Sequence, residues 1–323
     1  MWNAKESGGE VARRCSRRQL LLLIGKASLA ALLFSGVNRL LDARSAQASS
    51  EATVSQLVGQ PHRVSSTPSL FELEQAVAAE IGAYPGEVAI AVTDLQTGES
   101  FAINGDRPQV GACTINLFLL YSIVADLERG LYPVWEVDWI VNAAVGASDP
   151  KWAKELVVKT GGGSIAQGVA KVNQLMQNVG AVNSFYDHAP EYSGLYSLSG
   201  EDNYVSANDL NIALSKLYNG ELFGPEFTAY AFEKLLNVRP RLNNVLPALL
   251  PVDRTRVAHK VGFINYAGYS TRNDAGIVFV DKGGREIAYV ISFLSQHNEN
   301  YWAAASFGAW LSRIVFDHFD ATF

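Results

Sequence analysis

The chain is poor in sulfur and in charge. Its 323 residues hold two cysteines, two methionines and five histidines, and charged side chains make up 18%. With Cys15 and Cys113 as the only thiols, neither a disulfide framework nor a cysteine metal site is possible. If a leader carrying Cys15 is removed, Cys113 has no intrachain partner. The histidines are scattered without metal-ligand spacing, so no metal and no cofactor is expected. Long runs of like charge are missing, which argues against disorder beyond the N-terminus. Repeats and low-complexity tracts are missing as well. Positive charge is scarce outside the N-terminus. Residues 1–48 carry eight Lys and Arg and three Asp and Glu, so the remainder holds 18 basic and 29 acidic residues, a net −11. An acidic body argues against nucleic acid and anionic membrane as main partners.

What is present is apolar surface. Hydrophobic residues make up 48% of the chain, enough for one large core or two packed lobes. The N-terminus reads separately. Arg13, Arg14, Arg17 and Arg18 precede an apolar stretch from Leu20 to about Val37, and Ala46-Gln47-Ala48 follows as a small-x-small cleavage pattern. That is the layout of a secretory signal. Ser16-Arg17-Arg18-Gln19-Leu20-Leu21 is similar to a twin-arginine signal. Lys26 and Gly25 interrupt the apolar stretch, which suits a signal better than a span. An uncleaved anchor is the alternative, since stretches of about 18 apolar residues can span a bilayer. No cysteine stands in a lipobox-like context. Residues 49–68, rich in Ser, Thr and Gln, read as a flexible linker. The expected organisation is an export signal over 1–48, the linker over 49–68 and one domain over 69–323.

Within that domain the periodicity changes twice. Leu70, Leu73, Val77, Ala78 and Ile81 predict a helix over 69–82. Two apolar runs at 87–94 and 100–104, joined at Gln96-Thr97-Gly98, predict a hairpin. A helix from Cys113 to Gly130 is apolar on every side in its first half, as a fully buried helix must be. Helices follow at about 136–147, at 150–160 behind Asp149 and Pro150, at 165–179 behind Ser164, and at 207–219 behind Ser206. Residues 181–204 lack a period and predict a long surface loop. Three strands then recur at 255–262, 275–281 and 286–295, with Lys282-Gly283-Gly284 as a turn. A helix at about 301–318 closes the chain. Helices flanking a sheet of two plus three strands, with an all-helical lobe inserted, is an α+β plan.

Three motifs then fall in order. They are Cys113-Thr114-Ile115-Asn116, Ser148-Asp149-Pro150 and Lys260-Val261-Gly262. With the hairpin at 90–98, the helix 207–220 and the run Gly268 to Asp274, they resemble the class A β-lactamases and related penicillin-binding proteins. The motifs of those proteins are S-x-x-K, S-D-N and K-T-G. The resemblance covers about residues 69–318. It implies an α+β, β-lactamase/transpeptidase-like fold with a five-stranded antiparallel sheet. It places Cys113 where the nucleophilic serine stands, at the start of the buried helix where free N–H groups favour negative charge. The plainer reading of Cys113 is a buried thiol filling a serine's space.

Asn116 takes the position of the motif lysine. An amide cannot take up a proton; it can only hydrogen-bond. Ser148 matches the proton-shuttling serine, although an ordinary helix-junction serine is the plainer reading. Pro150 replaces an asparagine and removes its hydrogen bonds. Lys260 implies positive charge beside a ligand carboxylate, next to Gly262. Val261 removes a hydroxyl, for which Arg272 can compensate by a bidentate grip. Backbone N–H groups of Cys113 and Phe263 would form the oxyanion hole. Glu191 is the nearest candidate for the omega-loop glutamate, with a plain surface glutamate as the other reading. His188 and His259 are candidate bases for Cys113. The stretch between Cys113 and Ser148 looks short for the family.

Three readings stay open on these residues. One is a hydrolase using Cys113 or a rearranged base. The second is a pseudoenzyme that binds a peptidoglycan- or β-lactam-like ligand with little turnover. The third is a scaffold with a vestigial cleft. The departures at Asn116, Pro150 and Val261 favour the second. The expected partner is a small-molecule or peptidoglycan-like ligand, with no nucleic acid and no membrane contact beyond an uncleaved leader. A monomer in the periplasm or outside the cell is expected.

Overall fold

A computed structural model describes residues 69–190, 197–266 and 269–323. The predicted leader and linker lie outside the described residues. Ser69 caps the first helix, α1 (Leu70–Gly82), through a capping box with Glu72, and Leu73 and Val77 bury its inner face. The hairpin follows as β1 (Glu87–Asp94) and β2 (Ser100–Ile103). A two-residue strand, β3 (Gln109–Val110), leads into a 3₁₀ turn, Ala112–Ile115. The buried helix α2 (Asn116–Glu128) starts only there, so Cys113 belongs to the 3₁₀ turn rather than to the α-helix. Leu117 to Val124 are buried without a break.

The helical lobe continues as α3 (Val134–Val141), a wider turn over Asn142–Gly146, α4 (Pro150–Thr160) and α5 (Ile165–Val179). Asp149 caps α4 and Pro150 opens it, as the sequence predicts. Asp126 holds the lobe together from inside. Its buried carboxylate accepts from Thr160 at 2.6 Å and from Arg129 and Lys171, so α2, α4 and α5 share one charge. After the loop come β4 (Tyr204–Val205), α6 (Ala207–Tyr218) and α7 (Pro225–Leu236). Residues 225–236 carry no helix in the sequence reading. β4 pairs with β3, a contact the sequence gives no sign of.

The chain then returns to the sheet with β5 (Thr255–Tyr266), β6 (Tyr269–Asp281) and β7 (Glu286–Gln296), and ends in α8 (Tyr301–Thr322). The run after Gly268 reads from sequence as a connection, yet β6 begins at Tyr269. The sheet has five strands in the order β2-β1-β7-β6-β5, all antiparallel. Side chains alternate between its faces. Ala89, Ala91, Ala258, Ala275 and Ile277 face the helical lobe, while Ile90, Val92, Val278, Ile291 and Phe293 pack against α1 and α8. The architecture is α+β, with a core on each side of one sheet.

Asp320 fastens α8 to the sheet. It accepts two bonds from Arg254, at 2.5 and 2.9 Å, and one from Lys282 at 2.7 Å. The Arg254 hydrogen bonds hold its carboxyl well below the usual aspartate range, with Lys282 adding to the effect. The unfolded chain therefore takes up this proton first, and stability falls as pH drops below an ordinary aspartate value of ~3.9. Asp320→Asn should remove roughly 1 kcal/mol at neutral pH, a figure kept small by solvent screening at this partly exposed site. It should also flatten the acid limb. Urea denaturation of both proteins between neutral pH and pH ~3 measures the two effects together.

Candidate functional site

The site forms where an edge strand meets the head of the buried helix. β5 lies against the 3₁₀ turn so closely that a Cβ on Gly262 would stand 2.3 Å from Thr114 Oγ1 and 2.5 Å from its backbone N. Only glycine allows that approach. Asn273 on β6 supports it from beneath. Its amide donates to the carbonyls of Val110 at 2.8 Å and Gly111 at 3.2 Å and accepts from Ser295 N at 3.0 Å. Ala112, just before Cys113, has φ 46°, a left-handed conformation that is strained for a residue with a side chain.

Strand alternation directs Lys260 and Gly262 toward the helical lobe. Lys260 is wholly buried, and its Nζ donates to Ser148 Oγ at 2.7 Å and to the carbonyl of Val261 at 2.8 Å. Burial lowers the pKa of its ammonium, opposed by the negative charge available at Cys113 and Asp274. Ser148 is itself in the left-handed region, at φ 55°, after the wider turn that ends α3. The structure thus brings Lys260, Ser148 and the Cys113 turn together. Cys113 is a free thiol and partly exposed, and so does not match the plainer reading of a buried filler. Asn116 is buried, 1% exposed, and opens α2, with its backbone N–H donating to the Cys113 carbonyl.

Other expected residues are placed elsewhere. Val261 points the opposite way from Lys260 and packs with Val238 and Leu242, which accounts for an apolar side chain there. Arg272 shares that far face. It is fully buried, with its guanidinium over the rings of Phe263 and Tyr301, and it donates to the Tyr301 hydroxyl at 2.6 Å and to Asn244. Among the described residues its Nε has no partner. His259 is also on the far face, with ring nitrogens engaged by Asp274 at 2.8 Å and Asn243 at 3.1 Å. His188 lies in the loop after α5, 3.3 Å from Asp187, and Asn203 accepts its backbone N–H. Glu191 lies outside the described residues. The two backbone groups expected of an oxyanion hole, at Cys113 and Phe263, are on the adjoining turn and strand. Among the described residues no group of three His, Cys, Asp or Glu is placed to hold a metal, and no helix is long and apolar enough to cross a membrane.

One buried residue that bears on the site electrostatically has no signal in the sequence. Tyr186 is fully buried. Asn173 of α5 grips it through the backbone, accepting from Tyr186 N at 2.9 Å and donating to its carbonyl at 2.8 Å. Burial, and then Cys113, push the phenol far above its usual range, so it stays protonated. An isolated tyrosine in a loop without a period points to nothing by itself.

A sheet-edge lysine and a serine thus converge on the head of a buried helix, between an antiparallel sheet and a helical lobe. The model of the beta-lactamase enzyme family matches residues 72–134 and 163–319, and the chain belongs to that family. Ser148, Asp149 and Pro150 fall between the two matched stretches. In structure the chain is similar to a beta-lactamase from Chitinophaga pinensis, 18% identical with a TM-score of 0.67, over 76% of this chain and 98% of that one. It is similar to a representative class A beta-lactamase from Bacteroides cellulosilyticus, 17% identical with a TM-score of 0.67, over 77% and 97%. It is also similar to PBP-A, 20% identical with a TM-score of 0.64, over 78% and 97%. Identities this low carry the fold alone. No curated protein matches the chain in sequence.

Gly262→Ala tests the close approach. The added methyl must push the 3₁₀ turn away from β5, because two of its contacts, Thr114 N and Gly111 O, are backbone. The expected loss is about 1–3 kcal/mol of stability, the range for overpacking a filled core. Urea denaturation reads that loss. A faster reaction of Cys113 with a thiol reagent under native conditions reads the displaced turn.

Proposed function

We propose that this protein is an exported, degenerate member of its family that binds a peptidoglycan- or β-lactam-like ligand with little turnover. The observation that carries the reading is Asn116. It stands beside Cys113 at the head of α2, buried, as an amide that cannot take up a proton. Loss of a general base typically lowers a rate by about 10²–10⁴-fold. Pro150 opens α4 and offers no side-chain hydrogen bond to a ligand. In this reading the backbone N–H groups of Cys113 and Phe263 polarise a ligand carbonyl, and Lys260 acts through Ser148 as a fixed positive field. The Arg13-Arg14 to Ala48 segment supports export.

A second reading has its own support. Lys260 is bonded to Ser148, and burial shifts its pKa in the direction that makes a lysine a base. A proton leaving Cys113 could then pass through Ser148 Oγ to Lys260. That route makes the protein a cysteine hydrolase.

The two readings separate in one experiment. Under the first, incubation with a penicillin should leave Cys113 without an adduct by mass spectrometry, and hydrolysis should stay near background. Cys113→Ser combined with Asn116→Lys should then raise the acylation rate. Rapid turnover by the natural chain, abolished by Cys113→Ala, would establish the second. Export has its own check, since N-terminal sequencing of the exported form should begin at or near Ser49.

A further inference from the structure

Three of the chain's six tryptophans, Trp135, Trp139 and Trp152, fall in one short stretch of the helical lobe. Two of them stand in water. Trp135 is 77% exposed and Trp139 50%, and Leu131 and Val134 beside them are 55% and 38% exposed. Tryptophan is mostly well buried, so a group of this size left outside the core marks a contact surface. The rings are arranged rather than scattered. Trp135 and Trp139 stand one turn apart on α3, and Trp152 of α4 meets Trp139 edge-on, with ring centroids 4.4 Å apart at 76°. Lys151 Nζ lies 4.8 Å from the centre of the Trp152 ring.

Polar groups are interleaved with these rings. Trp135, Asp138, Trp139 and the capping Asn142 follow the spacing i, i+3, i+4, i+7 and so share one face of α3. Asn142 donates to Asp138 Oδ2 at 2.9 Å. The charge on this face narrows what can cover it. α3 carries two acids, Glu136 and Asp138, and no base. Lys159 and Lys234 pair with them, each at 2.5 Å. A helix that lies in a membrane surface presents Lys and Arg on its polar face. Lys151, over Trp152, is far short of the basic clusters that hold a protein to anionic lipid. A second copy of the chain would bring a second set of the same acids into one interface. A saccharide answers every part of the face. The C–H bonds on one side of a pyranose ring meet the negative face of an indole, and its hydroxyl and acetamido groups meet the carboxylate and carboxamide between the rings.

The face also adjoins the candidate site. Ser148 stands four residues before Trp152, and successive Cα atoms are about 3.8 Å apart, so the two Cα atoms lie within about 15 Å of each other. We propose that Trp135, Trp139 and Trp152 form a docking platform for the glycan strand of peptidoglycan, next to the place where Lys260 meets Ser148. The proposal rests on the peptidoglycan-binding reading above and names the part of that ligand which the cleft residues do not hold. No bond is made or broken.

The test titrates the purified protein with chitohexaose, an N-acetylglucosamine oligomer that carries the amino sugar without any peptide. Cellohexaose is the matched probe without acetamido groups. Calorimetry and tryptophan fluorescence read the binding. Chitohexaose should bind saturably and shift the emission to the blue, and cellohexaose should bind several-fold more weakly. Trp135→Ala and Trp139→Ala should each weaken chitohexaose by about three- to tenfold, the scale of one aromatic contact, and Trp135→Tyr should restore most of the loss. If Trp139→Ala, which also breaks the contact with Trp152, does not fold, the far more exposed Trp135 carries the test alone. No binding of chitohexaose, equal binding of cellohexaose, or binding untouched by Trp135→Ala would overturn the proposal. A dimer in the ultracentrifuge, or adhesion to phosphatidylcholine–phosphatidylglycerol vesicles, that Trp135→Ala abolishes would overturn it as well, since another occupant then covers the face. None of these results touches the cleft reading, because penicillin turnover by the natural chain reports on the cleft alone. Rapid turnover together with Trp135-dependent chitohexaose binding would overturn the degenerate reading and keep the platform.

Discussion

Everything at the site depends on how near an edge strand can come to the head of a buried helix. Gly262 sets that distance, because any side chain there would enter Thr114. Once β5 lies so close, strand alternation decides the rest. Lys260, two residues earlier, must point into the helical lobe and meets Ser148. Val261 and His259 must point away. The altered motif therefore keeps the two members that geometry requires, lysine and glycine. It changes the one between them, which faces an apolar cluster with Val238 and Leu242.

The far face carries charge of its own, organised by Asp274. This buried carboxylate accepts from His259 at 2.8 Å and from the backbone of Leu246 at 3.1 Å, and its negative charge supports the protonated forms of both Lys260 and Arg272. Burying an uncompensated cation is expensive, and two of them are buried here. One acidic residue in the second strand from the edge thus stabilises a lysine on one face and an arginine on the other. The arginine adds two aromatic rings, at 4.8 and 5.2 Å. In this chain its charge is a structural element beneath Phe263 rather than a group offered to solvent.

Most of the fold is written locally and was legible. Caps at Asp149, Ser164 and Ser206 place three helices, apolar spacing places the first, and apolar runs place the five strands. The misses have physical causes. α7 is amphipathic but begins at Pro225 after a glycine, which reads as a turn, and β6 starts early because Arg272, Asn273 and Asp274 look like loop residues. Those three are polar and buried, held by partners far along the chain, and no local pattern reports such a partner. The site divides in the same way. Lys260, Ser148, Asn116 and Cys113 sit in motifs with fixed spacing. Arg272 and His259 leave them, since the parity of a strand position becomes visible only once its pairing is known.

The pairing of β1 has a consequence for when this molecule can exist. Its partner on one side is β2, a few residues away, but on the other it is β7, with Val88 opposite Ser295 and Asp94 opposite Tyr289. The second and third strands across the sheet therefore come from opposite ends of the domain. During synthesis the first hairpin must wait with an open edge until nearly the whole chain has left the ribosome. The helical lobe, made of near-neighbour contacts, can form in the meantime. Closure is then a late event dominated by distant contacts, the kind that folds slowly. A chain built this way closes all at once: until its last strand arrives the β1–β2 and β5–β6 pairs have nothing to join them, and the sheet that holds Lys260 to the helix is incomplete.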